Sequence, residues 1–328
     1  MKTLLLPEKD VASLIEMGEV IEAVESAFKE KALGYAQMPP KPYLFYNKYN
    51  GDLRTMSSYC ETLDISAVKV VNVHPDNPKK FMIPTIMAII VLIDPKNGFP
   101  LSIMGGTLIT AMRTGAAGGL AAKYLSRKES KVLTLIGAGV QAQTQLMATM
   151  KVRKIERVYV YDIQKKKAQK FANRMKKNFE IDITPVKEPK EAIVKADILT
   201  TITPSTTPII KDEWINEGLH INAIGADAPG KEELDPAILK RSRIIIDDWE
   251  QASHSGEINI PLSKRIITKD DIWGEIGEVI SGLKKGRQSS DEITIFDSTG
   301  LAVQDAATAW LVYNKARANK MGKLVSIL

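Results

Sequence analysis

The chain has 328 residues, enough for about two domains with cores of their own, and its 44% hydrophobic and 26% charged side chains exclude a disordered, collagenous or low-complexity protein. The 45 Lys and Arg against 39 Asp and Glu leave a charge of +6, spread along the chain apart from runs such as Lys165, Lys166 and Lys167 that read as solvated helix faces. Aromatic residues make up 6% and do not interleave with the lysines, which argues against a nucleic-acid interface built on phosphate contacts and base stacking.

The start, MKTLLLPEKD, has too short an apolar run before Pro7 for a secretory leader. Val20, Ile21, Val24, Ala27 and Phe28 recur at helical spacing through residues 19–33, which predicts an amphipathic helix ending near Gly34. The prolines of MPPKPY then block regular structure. After them come β-prone segments at 53–59, 65–73, 85–93 and 101–104. No helix long enough for a crossover separates them, so they predict a mostly antiparallel or mixed sheet. Cys60, the single cysteine, cannot close an intramolecular disulfide and fits a reducing compartment. The longest apolar run, 86–93, is far below the roughly 20 residues of a membrane span, so a cytoplasmic protein without a membrane partner is expected.

Residues 107–125, TLITAMRTGAAGGLAAKYL, have helical character despite their glycines, and beyond them the rhythm changes. Apolar runs at 132–137, 157–162, 181–186, 197–203, 220–225, 243–248 and 293–298 alternate with helix-length segments, the signature of βαβ units and a parallel sheet. A last helix is expected over 302–318, returning to the first domain.

The first of these runs leads into Gly137-Ala138-Gly139-Val140-Gln141-Ala142, a GxGxxA turn ahead of a helix, and the next strand ends at Asp162. Gly137 permits the tight turn, Gly139 lets a pyrophosphate approach the backbone at the helix N-terminus, and Ala142 keeps helix and sheet close. A carboxylate at Asp162 can accept from both ribose hydroxyls and repels a 2′-phosphate, so NAD is expected over NADP.

Four other groups have the right chemistry for a site. Lys69 sits on a strand face with Ala67 and Val71 as neighbours, either as an edge-strand lysine that discourages aggregation or as a desolvated amine suited to proton transfer. Arg54 reads as an exposed strand arginine or as a carboxylate ligand. Arg113 is harder to dismiss, because no other charge lies between Lys96 and Lys123. Asp227 follows a strand end on the carboxyl side of the parallel sheet, as a turn former before Pro229-Gly230 or as a site residue. Asp297 ends another such strand, and Ser298, Thr299 and Gly300 are expected to open the final helix as its N-cap. His74, His220 and His254 lack metal-ligand spacing, so no metal site is expected.

The segments QMPPKPYL, GDLRTM, KVVNVHPDNP, TAMRTGAAGG, GAGVQAQ, NAIGADAPGKEELDP, DDWEQASHSGEINI and IFDSTGLAVQD together resemble the ornithine cyclodeaminase and mu-crystallin family, in particular its archaeal-type alanine dehydrogenases. The resemblance implies an α/β fold in which a Rossmann domain, 119–300, is inserted into an α+β substrate-binding and dimerisation domain, 1–118 with 301–328, and it implies a homodimer. By matching motif, it assigns Lys69 and Asp227 as the catalytic pair and Arg54, Lys69 and Arg113 as substrate ligands. Thr114, the GAGVQA turn, Asp162, Thr203, Gly225, Ser298 and Gly300 fall on the cofactor side. The implied reaction is reversible, NAD-dependent deamination of L-alanine to pyruvate and ammonia. Alternatives within the same family are cyclisation of ornithine to proline, reduction of a ketimine or imino acid, and a non-catalytic cofactor-binding protein of the mu-crystallin kind.

Overall fold

The computed structural model describes residues 1–327 and divides into two compact units, Met1–Arg113 with Leu301–Leu328, and Thr114–Gly300. In the first, strands β1 (Thr3–Leu6), β2 (Ala36–Gln37), β3 (Tyr43–Tyr46), β4 (Gly51–Cys60), β5 (Ile65–Val73), β6 (Ile86–Ile93) and β7 (Pro100–Gly105) join a C-terminal strand, Lys323–Val325. The sheet runs from that strand through β1, β7, β6, β5 and β4 to β2, with β3 also on β4. Only β1 and β7 pair in parallel; the other pairings are antiparallel, so the sheet is mixed. The short apolar start of the chain is thus a strand, β1.

Strand β5 alternates buried and half-buried positions along its length, putting Ile65, Ala67, Lys69 and Val71 on one face. Helix Ala302–Ala318 covers that face, packing on β4, β5 and β6 and against helix Met17–Ala32. The latter buries Val20, Ile21, Val24, Ala27 and Phe28 as its periodicity requires, each large side chain contributing about 1.5–3 kcal/mol. Two expectations change here. Strand β5 lies between β4 and β6, so Lys69 is not an edge residue, and it is 1% exposed. Arg54, on β4, is buried rather than exposed.

The second unit holds strands β8 (Val132–Ile136), β9 (Arg157–Tyr161), β10 (Asp182–Pro185), β11 (Ile198–Thr201), β12 (Thr206–Ile210), β13 (His220–Ala223), β14 (Glu232–Leu234), β15 (Arg243–Ile246), β16 (Ile272–Glu275) and β17 (Thr294–Asp297). Eight of them form one all-parallel sheet in the order β10-β9-β8-β11-β13-β17-β15-β16, while β12 and β14 pair separately. The winding reverses between β8 and β11, which makes this a doubly wound Rossmann-type sheet with its switch point there. Separate apolar clusters bury the β8–β9 half and the β13–β15 half.

Helix Thr107–Leu125 contains the division between the units, which falls after Arg113, ahead of the boundary expected at 118. The reason is close packing within the second unit. A methyl added at Gly115, Gly118 or Gly119 would overlap Thr144, Gln145 or Ala148 of helix Val140–Val152, so the chain joins that core as soon as the glycines begin.

Candidate functional site

In the first unit, Lys69 projects from the middle of β5, opposite Met56 on β4 and Ile90 on β6. Its Nζ lies 2.7 Å from Oδ2 of Asp305, in the first turn of helix Ala302–Ala318. The other oxygen of Asp305 accepts from Arg113 Nε at 2.9 Å, and Arg113 Nη1 donates to Gln304 Oε1 at 2.9 Å. One carboxylate is therefore divided between two buried cations. Burial, reinforced by the charge of Arg113 and more weakly by Lys41, pulls the Lys69 ammonium down to about 7 against the opposing pull of Asp305. An amine so placed exchanges protons near neutrality, as a general acid or base must.

Arg54 stands opposite Val71 and on the same sheet face as Lys69. Its Nε and Nη2 donate to the two oxygens of Asp52 at 2.8 and 3.1 Å, and its guanidinium lies 5.1 Å from the centre of the Tyr43 ring. Asp52 thus holds Arg54 through both of its oxygens, whereas Arg113 meets one oxygen of an Asp305 shared with Lys69 and the neutral Gln304. Met56, Val71, Ala88 and Ala302 form an apolar cluster on this face.

In the second unit, the glycine turn leaves β8 at the switch point. Gly137 has φ +112°, and a Cβ there would lie 2.7 Å from the carbonyl oxygen of Ile202. Gly139 precedes helix Val140–Val152, whose first turn has no side-chain cap, and nothing lies within 4 Å of a Cβ built on Gly139. Open backbone N–H groups and open space at a helix N-terminus fit a pyrophosphate. Asp162 accepts from the N–H of Ala138 at 3.1 Å and of Gln164 at 2.8 Å, which holds its carboxylate at the turn. Val140 and Ile163 stand exposed beside it.

Thr203 and Gly225, just beyond β11 and β13, are tied to a buried acid that sequence reasoning missed, Glu233. Asp227 is half-buried, with its N–H on the Gly225 carbonyl at 3.1 Å and its carboxylate 2.5 Å from Lys231 Nζ. Ser298, Thr299 and Gly300 do not cap the final helix as expected. Thr299 and Gly300 instead donate their backbone N–H groups to the buried carboxylate of Asp247, at 2.6 and 2.8 Å. The helix begins after Leu301, whose N–H is met by Gln304.

A family model described as ornithine cyclodeaminase/mu-crystallin matches residues 1–320. The chain belongs to that family. Alanine dehydrogenase of Archaeoglobus fulgidus is 50% identical over 325 residues, 99% of this chain and 98% of the relative. A solved archaeal alanine dehydrogenase dimer with bound NAD is 49% identical at a TM-score of 0.96, with 100% of both chains covered. Thermococcus litoralis Delta(1)-pyrroline-2-carboxylate reductase, in complex with NADH and L-proline, is 46% identical at a TM-score of 0.96, covering 98% of this chain and 100% of that one.

Within this member of the ornithine cyclodeaminase/mu-crystallin family, the geometry joins Lys69 to Arg113 through Asp305, which the sequence reading passed over. A signal was present: Asp305 is the last acidic residue of the chain, in the first turn of an alanine-rich helix. Glu233 had no such signal, since Glu232 beside it looks the same in sequence. Among the described residues, no helix is long and apolar enough to cross a membrane.

Proposed function

We propose that this chain is an NAD-dependent L-alanine dehydrogenase, interconverting L-alanine with pyruvate and ammonia, and that it works as a homodimer. The observation that carries the reading is the division of Asp305 between Lys69 and Arg113. Two cations buried against one carboxylate leave a positive charge that an α-carboxylate completes, and a guanidinium is suited to hold it. The apolar cluster of Met56, Val71, Ala88 and Ala302 on the same face suits a small aliphatic side chain better than the cationic one of ornithine. The likeness to the Archaeoglobus fulgidus enzyme supports alanine.

When bound, NAD supplies the hydride acceptor. The GAGVQA turn holds its pyrophosphate and Asp162 a ribose, with Thr114, Thr203, Gly225, Ser298 and Gly300 completing the contacts. Arg113, with Arg54, orients the substrate carboxylate. Lys69, close to half-protonated near pH 7, moves the protons required as water adds to the imine carbon and ammonia leaves. Asp227 shares that task from the loop after β13. Homodimerisation is supported by the dimeric relative and by the exposed apolar side chains of Leu44, Phe45, Phe81, Met82 and Ile89 in the first unit.

The same groups serve reduction of a cyclic imino acid, the second reading, which the likeness to the Thermococcus litoralis reductase favours. A screen of NAD+ reduction across L-amino acids, with NADH oxidation on pyrroline-2-carboxylate and proline analysis after incubation with ornithine, separates the readings. L-Alanine is expected to give the highest kcat/KM. Faster turnover of the cyclic imine would move the assignment to a reductase, and proline formed from ornithine without net NADH would move it to a cyclodeaminase.

A further inference from the structure

Glu233, on β14, is fully buried with no basic side chain among its hydrogen-bond partners, and both of its oxygens meet the chain just beyond the central strands. Oε1 accepts from the N–H and the hydroxyl of Thr203, at 2.8 and 2.7 Å, and Oε2 accepts from the N–H of Gly225 at 3.0 Å. Thr203 lies at the switch point: a Cβ on Gly137 would stand 2.7 Å from the Ile202 carbonyl oxygen and 3.5 Å from Thr203 Cγ2. The packing has no slack, because a Cβ on Gly225 would fall 2.3 Å from both Glu233 Oε2 and the Thr203 carbonyl oxygen. Behind Glu233, Glu257 Oε1 accepts the backbone N–H groups of Glu233 and Leu234, at 2.9 and 2.6 Å.

We propose that Glu233 is a positioning residue for the dinucleotide crevice, its carboxylate fixing Thr203 against the glycine turn and Gly225 at the root of the loop that carries Asp227. The inference rests on the cofactor reading given above and extends it to a residue behind the crevice. The chemical reason is the count of acceptors. A carboxylate presents acceptors on both oxygens, and here both are used by donors. An amide of the same shape has one acceptor oxygen and turns N–H groups toward an N–H, leaving a buried donor unsatisfied. Glu257 differs, since one oxygen takes both of its donors and an amide keeps them. Burial pushes the Glu233 carboxyl up to about 7, and the hydrogen bonds from Thr203 and Gly225 oppose that shift by favouring the ionised form.

The test is NADH binding by fluorescence titration, without amino acid, in the parent, Glu233→Gln and Glu257→Gln, with a thermal melt of each. Glu233→Gln is expected to raise the Kd for NADH about tenfold, whereas Glu257→Gln stays within about twofold of the parent. A folded Glu233→Gln that binds NADH like the parent, whatever its melting temperature, overturns the proposal, and so does an equal loss in both variants. Should Glu233→Gln fail to fold, Glu233→Asp decides: its carboxylate keeps the charge but is one methylene too short to reach both Thr203 and Gly225, so NADH is expected to bind about threefold more weakly, and affinity equal to the parent's overturns the assignment. A parent that binds no NADH strikes the cofactor reading itself. A parent that binds NADH but does not turn over alanine strikes only the proposed reaction.

Discussion

In the first unit Lys69 and Arg113 are buried against a single carboxylate, whereas in the second Glu233 and Glu257 are buried against N–H and O–H donors of the surrounding chain. The difference separates two uses of a buried charge. Hydrogen bonds satisfy the Glu233 carboxylate where it stands, so its effect is to hold backbone in place. The Lys69–Asp305–Arg113 group is short of negative charge, and burial of the surplus cation is what draws the Lys69 proton affinity toward neutrality. An incomplete charge group invites a ligand, and a complete one builds a frame.

The sharpest way to break this comparison is at Lys69. Lys69→Ala is expected to lower kcat for alanine by about 100-fold or more while leaving NADH affinity unchanged, since the turn that would hold the cofactor is in the other unit. Activity within a few-fold of the parent would reduce Lys69 to a buried structural amine. Arg113→Lys comes next: lysine keeps the charge and loses the planar two-pronged contact, so KM for alanine and pyruvate should rise roughly tenfold to a hundredfold, read from initial rates in both directions. Arg54→Lys should do less, because Asp52 already engages its fork; a larger effect at Arg54 than at Arg113 would reverse the two roles.

The titration of Lys69 sharpens the comparison further. With the folded value lowered to about 7 from 10.5, the neutral amine predominates above about pH 7 and the ammonium below it. As base in deamination it must be neutral, so kcat/KM for alanine should climb as pH rises through about 7, and the reverse reaction, which draws on the ammonium, should fall over the same interval. The residual activity of Lys69→Ala should lack this limb. The smallest effect is expected at Asp162. Asp162→Ala should narrow the preference for NAD over NADP by removing the repulsion of a 2′-phosphate, and a parent that binds NADPH more tightly than NADH would overturn the role given to this residue.

Much of the frame can be read from local pattern. The helices over 107–125 and 302–318 and the strand over 65–73 match the observed Thr107–Leu125, Ala302–Ala318 and Ile65–Val73, because periods of 3.6 and 2 are properties of neighbouring residues. The glycine turn between strand and helix was legible for the same reason: Gly137, Gly139 and Ala142 lie within a few positions of one another, and the strand before and helix after them are where the pattern puts them. The strand at Thr3–Leu6 was not legible, since its partners Ser102–Met104 and Lys323–Val325 lie at the far end of the unit's sequence.

By itself, then, the sequence determined a doubly wound half, a mixed-sheet half, Lys69 and Arg113 as charges in apolar surroundings, and the family to which those motifs belong. The tertiary structure alone decided that Lys69 lies in a central strand, that Arg54 is buried on Asp52, and that Arg113 meets Asp305, 192 positions away. The reason is physical. Periodicity and turn chemistry depend on covalent neighbours, whereas the proton affinity and partnership of a buried charge depend on which distant groups packing brings against it, and on how much water that packing removes.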